Sequence, residues 1–190
     1  MSYREAAENA YSVACADDPE LAKFGLSLLS SLANRECYLA RLSMMFLYDS
    51  GRVVQPDVAL AKLWADKARA MHQSLTDPND LYDAGLQCWW DRDRFMSTEQ
   101  DAFELWEKAA LLGSGVALYA ICDVTRNRQE GTSEWTEKLT RAASLGSIEA
   151  MVELAQQKAL RDTEQGLRWL RAAAVLGSLR AKEVLEWRPD

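Results

Sequence analysis

Residues 107–114 read Glu107-Lys108-Ala109-Ala110-Leu111-Leu112-Gly113-Ser114, and the same punctuation returns twice downstream. Thr140-Arg141-Ala142-Ala143-Ser144-Leu145-Gly146-Ser147 and Arg171-Ala172-Ala173-Ala174-Val175-Leu176-Gly177-Ser178 keep the alanine pair, the glycine and the serine in register, with the glycines 33 and 31 residues apart. A looser copy, Asp66-Lys67-Ala68-Arg69-Ala70-Met71-His72, puts His72 where the glycine belongs. A fixed period of this length marks a repeated supersecondary unit. The alanine pair removes bulk, so two antiparallel helices can approach closely. A glycine after an apolar helical run suits a left-handed C-cap, where any Cβ is penalised. The serine after it can accept from the first amides of the next helix. Each glycine is followed four residues later by alanine, at Ala117, Ala150 and Ala181, and Ala40 holds the same phase upstream.

Composition agrees with stacked helices. Alanine (28) and leucine (26) exceed a quarter of the 190 residues, whereas valine and isoleucine number 9 and 2. That excess of helix formers over β-branched residues predicts an all-α protein. A hydrophobic share of 48% with 27% charged residues excludes wholesale disorder. The pattern predicts helix pairs at 36–50 with 56–71, 77–92 with 98–112, 115–127 with 133–145 and 148–160 with 163–176. Two more helices fall near 3–15 and 19–33, and a last one near 178–187. Pro19 and Pro56 are placed at helix starts, where a missing amide donor costs least. The expected organisation is residues 1–35 as capping helices or a degenerate repeat, 36–177 as four helix pairs, and 178–190 as a C-terminal capping helix.

The formal net charge is −7, spread evenly along the chain. Neither half is basic, which argues against nucleic acid as a partner. No stretch approaches 18 apolar residues, so no membrane span is expected. The start, Met1-Ser2-Tyr3-Arg4-Glu5, lacks a secretory signal, and Cys15, Cys37, Cys88 and Cys122 have no CxxC spacing. A cytoplasmic protein with free thiols is the expectation. Chemistry is sparse. His72 is the one histidine and reads as a polar C-cap favoured by the helix dipole. Phosphate-binding glycine loops, G-x-S-x-G and H-E-x-x-H motifs are absent. Asp80 and Asp83 could share a helix face, but with Asp77-Pro78 they read as helix-start residues. Asp91 and Asp93 do not reproduce a calcium loop. The expectation is therefore no enzyme, no cofactor and no metal.

At Ala40…Met44…Tyr48-x-x-Gly51-x-x-Val54-x-x-Asp57-x-x-x-Ala61-x-x-Trp64-x-x-Lys67-Ala68 the chain resembles the consensus of the Sel-one-like repeat (SLR) family, relatives of the tetratricopeptide repeats. A later unit matches through Asp162, Trp169, Ala172, Ala173 and Gly177. Another keeps Ala102, Lys108, Ala109, Ala110 and Gly113, with Trp106 one position late. The unit between them keeps Arg141-Ala142-Ala143 and Gly146. The resemblance covers about 36–188, and residues 1–35 match poorly. It implies an α/α right-handed superhelix, a solenoid of antiparallel helix pairs that binds other proteins.

In such folds the first helix of each pair lines the concave surface. Carried over by repeat phase, the groove positions are Leu42, Phe46, Asp49 and Ser50; Tyr82, Leu86, Trp89 and Trp90; Tyr119, Asp123, Arg126 and Asn127; Val152, Gln156, Ala159 and Leu160; then Glu183 and Trp187. Aromatics with arginine are the usual composition of a binding hot spot. Adjacent Trp89 and Trp90 point about 100° apart on a helix, so one of them is expected to be exposed. Trp64, Trp106 and Trp169 are expected in the core, and Cys37, Cys88 and Cys122 as small core fillers. The expected function is non-catalytic binding of one protein or peptide, as an adaptor or as an immunity protein neutralising a toxin. The acidic balance favours a basic partner. Two alternatives are a β-lactamase-like hydrolase or penicillin-binding SLR protein, for which S-x-x-K with partners is missing, and a chaperone-like peptide-binding adaptor.

Overall fold

Three turns carry the architecture, and each is built the same way. At Gly113, Gly146 and Gly177 the backbone is left-handed, with φ of +94°, +94° and +103°. Each glycine amide donates to the second alanine's carbonyl or its equivalent (Ala110, Ala143, Ala174). Each following serine amide reaches back to Ala109, Ala142 or Ala173. This double closure satisfies carbonyls that a helix end would otherwise orphan. The serine side chains then accept from the amides of Ala117, Ala150 and Ala181 at 3.2–3.3 Å, starting the next helix. An eight-residue motif thus ends one helix and opens the next.

The computed structural model describes residues 2–157 and 163–187. These form twelve α-helices: α1 (Tyr3–Ala14), α2 (Pro19–Asn34), α3 (Tyr38–Ser50), α4 (Val58–Arg69), α5 (Pro78–Trp90), α6 (Arg92–Phe95), α7 (Glu99–Leu111), α8 (Gly115–Gln129), α9 (Ser133–Ser144), α10 (Ile148–Gln156), α11 (Glu164–Val175) and α12 (Leu179–Glu186). Ala159, Leu160 and Asp162 lie outside the described residues. No strand occurs among the described residues. Pro19 is the first residue of α2, as expected, but Pro56 precedes Asp57, the N-cap of α4, rather than opening the helix. Its ring packs beside Gly51, the left-handed C-cap of α3. The short helix α6 and a 3-10 turn at His72–Ser74 have no counterpart in the repeat pattern.

The chain divides into two compact units. Unit 1 takes residues 1–76 and 86–102; unit 2 takes 77–85 and 103–190. In unit 1, α1 packs on α2 and α3, and α3 on α4. Helices α1 and α2 meet closely because Gly25 lies on the Ala14 backbone, where a Cβ would collide. The core of unit 1 runs from Ala7, Ala10 and Ala14 through Leu29, Tyr38 and Met45 to Trp64, Ala65 and Phe95. Arg41 of α3 ties two helix ends together: Nε donates to Ala33 O at 3.0 Å and Nη1 to Lys67 O at 2.8 Å.

In unit 2, α8 packs on α9, α10 on α11 and α11 on α12, while α9 and α8 also touch α10. First helices therefore neighbour first helices, as in a solenoid. Two indoles lock this core from the second helices. Trp106 Nε1 donates to Tyr82 O at 3.2 Å, and Trp135 Nε1 to Cys122 O at 2.9 Å; both rings are buried. A buried N–H of this kind needs a partner, and the first helix of each pair, α5 or α8, supplies it. Trp135, which no consensus position marks, is a core residue. Trp64 and Trp106 are core as expected, but Trp169 is only half-buried. The outer side of α11 keeps part of its ring in solvent.

His72 also departs from expectation. Ala70, not His72, is the C-cap of α4. Without a glycine the chain turns through 72–74 and carries the imidazole inward. It stacks on Phe95 (centroids 5.9 Å apart, planes 8° apart) and meets Tyr38 edge-on. Nε2 lies 3.3 Å from Tyr38 Oη, and Nδ1 3.8 Å from Cys88 Sγ. Burial, assisted by nearby Arg69, pulls its pKa down to about 4 against the opposing pull of Asp101. The side chain is thus a half-buried group whose neutral form is favoured, not a cation capping a helix. Cys37, Cys88 and Cys122 are buried fillers, while Cys15 is exposed.

Candidate partner-binding site

Helix α8 places Tyr119, Asp123 and Arg126 one, two and three turns along one face, by their spacing of four and three residues. The outcome is a hydrogen-bonded cluster with α10. Arg126 Nη2 donates to Glu153 Oε2 at 2.7 Å, to Asp123 Oδ1 at 2.9 Å and to Tyr119 Oη at 3.4 Å. Tyr119 Oη donates to the same Glu153 oxygen at 3.0 Å. The Glu153 side chain is 16% exposed, against 36% for Arg126. Burial and then the Glu153 carboxylate push the Tyr119 phenol well above its ordinary range. Burial works against the Arg126 charge, but Glu153, Tyr119 and Asp123 outweigh it and hold the guanidinium protonated. Shared hydrogen bonds of this kind fix side chains that would otherwise sample many rotamers.

This cluster forms one wall of a cleft of about 320 Å³. Its lining comes from α8 (Tyr119, Arg126), α10 (Ile148, Glu149, Val152, Glu153, Gln156) and the start of α12 (Ser178, Arg180). Arg180 Nη2 donates to Gln156 Oε1 at 2.9 Å. Tyr82 and Asp83 of α5 belong to the same unit, and burial, Asp83 and Glu149 all raise the Tyr82 phenol. Four residues marked by repeat phase, Tyr119, Arg126, Val152 and Gln156, line this cleft, with Asp123 joined through Arg126. Glu153 was not marked. The phase rule selected Val152, which is buried, and likewise Leu42, which is buried in unit 1. On α10 the exposed face is shifted by one residue, so Glu149, Glu153 and Gln156 share it. Glu183 is exposed, and Trp187 stands 85% exposed at the end of α12; neither lines the cleft.

Asn127 is exposed on α8 in unit 2, and the remaining marked residues among those described lie in unit 1. Phe46 and Trp90 are 41% and 76% exposed, while Leu86 and Trp89 are half-buried. The turn from α5 into α6 is held by arginines. Arg92 lies over the Trp89 ring at 4.9 Å and donates from Nε to Trp89 O at 3.1 Å. Arg94 pairs with Asp49 at 2.8 Å and with Asp91 at 3.3 Å. These contacts fix the backbone that carries Trp90 outward. Asp77 caps α5, accepting from the amides of Asn79 and Asp80. Among the described residues no group of three or more His, Cys, Asp or Glu side chains is placed to hold a metal ion. No helix among them is long and apolar enough to cross a membrane.

No protein-family model matches the sequence, and no curated protein does. Solved structures do. A Sel1 repeat protein from Oxalobacter formigenes aligns over 88% of this chain and 69% of its own, with a TM-score of 0.63 at 21% identity. The chain has the Sel-one-like repeat fold. Two further structures share that fold. An immunity protein from Pseudomonas aeruginosa gives a TM-score of 0.60 at 18% identity, over 94% of this chain and 67% of its own. A protective antigen of uropathogenic Escherichia coli strains, displaying an SLR fold, gives 0.55 at 16% identity over 84% of this chain; the match spans 35% of the antigen. In the Sel-one-like repeat arrangement α8 and α10 are leading helices of successive hairpins. The cleft therefore occupies the side that such repeats build from their first helices.

Proposed function

We propose that this Sel-one-like repeat chain is a non-catalytic interaction module that holds one protein or peptide partner on the α8–α10 face of unit 2. The observation that carries this reading is the convergence of Tyr119, Arg126 and Gln156 on one cleft. Half-buried tyrosine and arginine beside a pocket have the composition of an interface centre. The left-handed turn at Glu36, in phase with the later glycines, supports reading residues 1–35 as a degenerate repeat ahead of four pairs at 36–177 and a cap at 178–190. No disulfide joins Cys15, Cys37, Cys88 and Cys122, which supports a cytoplasmic setting.

The test is site-specific photo-crosslinking from position 156 in cells, with adducts identified by mass spectrometry. One dominant protein adduct, lost on Tyr119→Ala, is expected. No adduct, or one indifferent to Tyr119→Ala, rejects the reading. Nitrocefin turnover or covalent penicillin labelling by the purified chain would instead favour the hydrolase alternative.

A second, finer reading is an immunity role. It is favoured by the immunity protein among the structural neighbours and by the net charge of −7. Co-expression with the product of the adjacent gene tests it: rescue of growth is expected, and unrelieved toxicity, or a harmless neighbour, leaves the adaptor role.

A further inference from the structure

The charges around the cleft do not balance. Arg126 faces two carboxylates, Glu153 and Asp123. Arg180 donates to a neutral acceptor, Gln156. Glu149 is exposed, lines the cleft and forms no ion pair among the described residues. Its neighbour is the Ser147 hydroxyl, at 3.3 Å. Glu149 also acts on the Tyr82 phenol, and Tyr119 lines the same cleft. An uncommitted carboxylate that shares a cleft with a phenol ring suits one kind of guest. A planar cation can lie against aromatic faces and still donate to a carboxylate. A volume near 320 Å³ sits at the low end of ligand pockets and fits one long side chain rather than a folded surface.

Resting on the binding reading above, we propose that the cleft receives a cationic side chain of the partner, arginine before lysine, with Glu149 as its counter-charge and Tyr119 as its aromatic wall. The arginine enters beside the Arg126–Glu153 pair, which stays closed and keeps Glu153 from competing. An acidic guest could reach Arg180, whose acceptor Gln156 is neutral, but it would meet Glu149 and Glu153 there, while Arg126 is already held by two carboxylates.

The experiment pans a phage-displayed random dodecapeptide library on the full chain and measures recovered peptides by fluorescence anisotropy. Peptides sharing an arginine or lysine are expected, with arginine preferred. Glu149→Gln should weaken them about tenfold, and Glu149→Asp should restore part of that loss. Glu137→Gln, which removes the same charge from exposed α9, should change affinity little, separating a local contact from bulk attraction. Circular dichroism checks that each variant folds. Recovered peptides that are neutral or acidic, or that ignore Glu149→Gln, overturn the cation proposal. If those same peptides still lose affinity on Tyr119→Ala, the binding face itself stands. If no peptide is recovered, or none responds to Tyr119→Ala, both fall.

Discussion

Glu36 occupies a conformation that its side chain disfavours. Its φ of +62° falls where the later turns place glycine, and the Cys37 amide reaches back to Leu32 O at 3.2 Å just as Ser114 reaches Ala109. A Cβ in this region costs roughly 1–2 kcal/mol. Glu36→Gly is therefore expected to stabilise unit 1 by about 1 kcal/mol, less whatever freedom the glycine adds to the unfolded chain. Gly146→Ala should destabilise unit 2 by about 1 kcal/mol. A Cβ at Gly146 meets nothing within 4 Å, so that cost is purely conformational. Urea unfolding of the two variants checks both signs. The glycine turns were legible because the residue type reports the backbone directly. The Glu36 turn was hidden, since a strained glutamate looks like any surface glutamate. Trp90 belongs to the same scale. At 76% exposure, Trp90→Ala should leave the unfolding midpoint nearly unchanged, whereas a buried tryptophan would lose about 3–5 kcal/mol. If Trp90 also meets the partner, affinity should drop by about 2 kcal/mol, read by titration.

At the scale of elements, the His72 turn shows why the fourth copy of the motif was misread. Sequence alone aligned His72 with the glycines, and a polar residue at a helix end suggested a cap. A non-glycine residue avoids the left-handed region, so the chain closes a 3-10 turn instead and the imidazole packs against Phe95 and Tyr38. The consequence is a pH dependence. In the fold His72 titrates near 4, against about 6.5 when unfolded. Between those values the unfolded chain binds the proton and the folded one does not, so acid favours unfolding. The contribution of His72 is complete above pH 6.5 and declines towards pH 4, by up to about 3 kcal/mol. Tyr38, Arg69, Cys88 and Asp101 face or act on the ring. His72→Phe should flatten the wild-type slope of stability between pH 6.5 and 4, measured by denaturant melts at several pH values. A slope unchanged by the substitution would assign acid sensitivity to the carboxylates. Helix ends elsewhere were legible to within two residues, except that α10 ends at Gln156 rather than 160, because Pro19 presets φ at a helix start and Asp57, Asp77 and the serines act through local hydrogen bonds. Helix α6 was not, since it is set by Arg92 and Arg94 bonding to Trp89, Asp91 and Asp49, contacts with no local periodicity.

For the whole molecule, charge is the informative quantity. A chain at −7 that meets a basic partner should associate faster at low ionic strength, with dissociation much less affected. Stopped-flow measurements across a salt series check this, and an association rate independent of salt would argue for an uncharged partner surface. The fold was legible at this scale because alanine, glycine and serine recur in register three times, with a looser fourth copy at 66–72. The site was half legible. Repeat phase marked Tyr119, Asp123, Arg126 and Gln156, yet passed over Glu149 and Glu153, because α10 presents a face one residue away from the family's phase and buries Val152.

The identical closures at Gly113 and Gly146 also make residues 114–146 a self-contained cassette, beginning and ending on the same backbone geometry. Duplicating that cassette in tandem would lengthen the array without inventing a junction, since each new boundary repeats one the chain already tolerates. A natural gene could grow by the same arithmetic, one hairpin at a time.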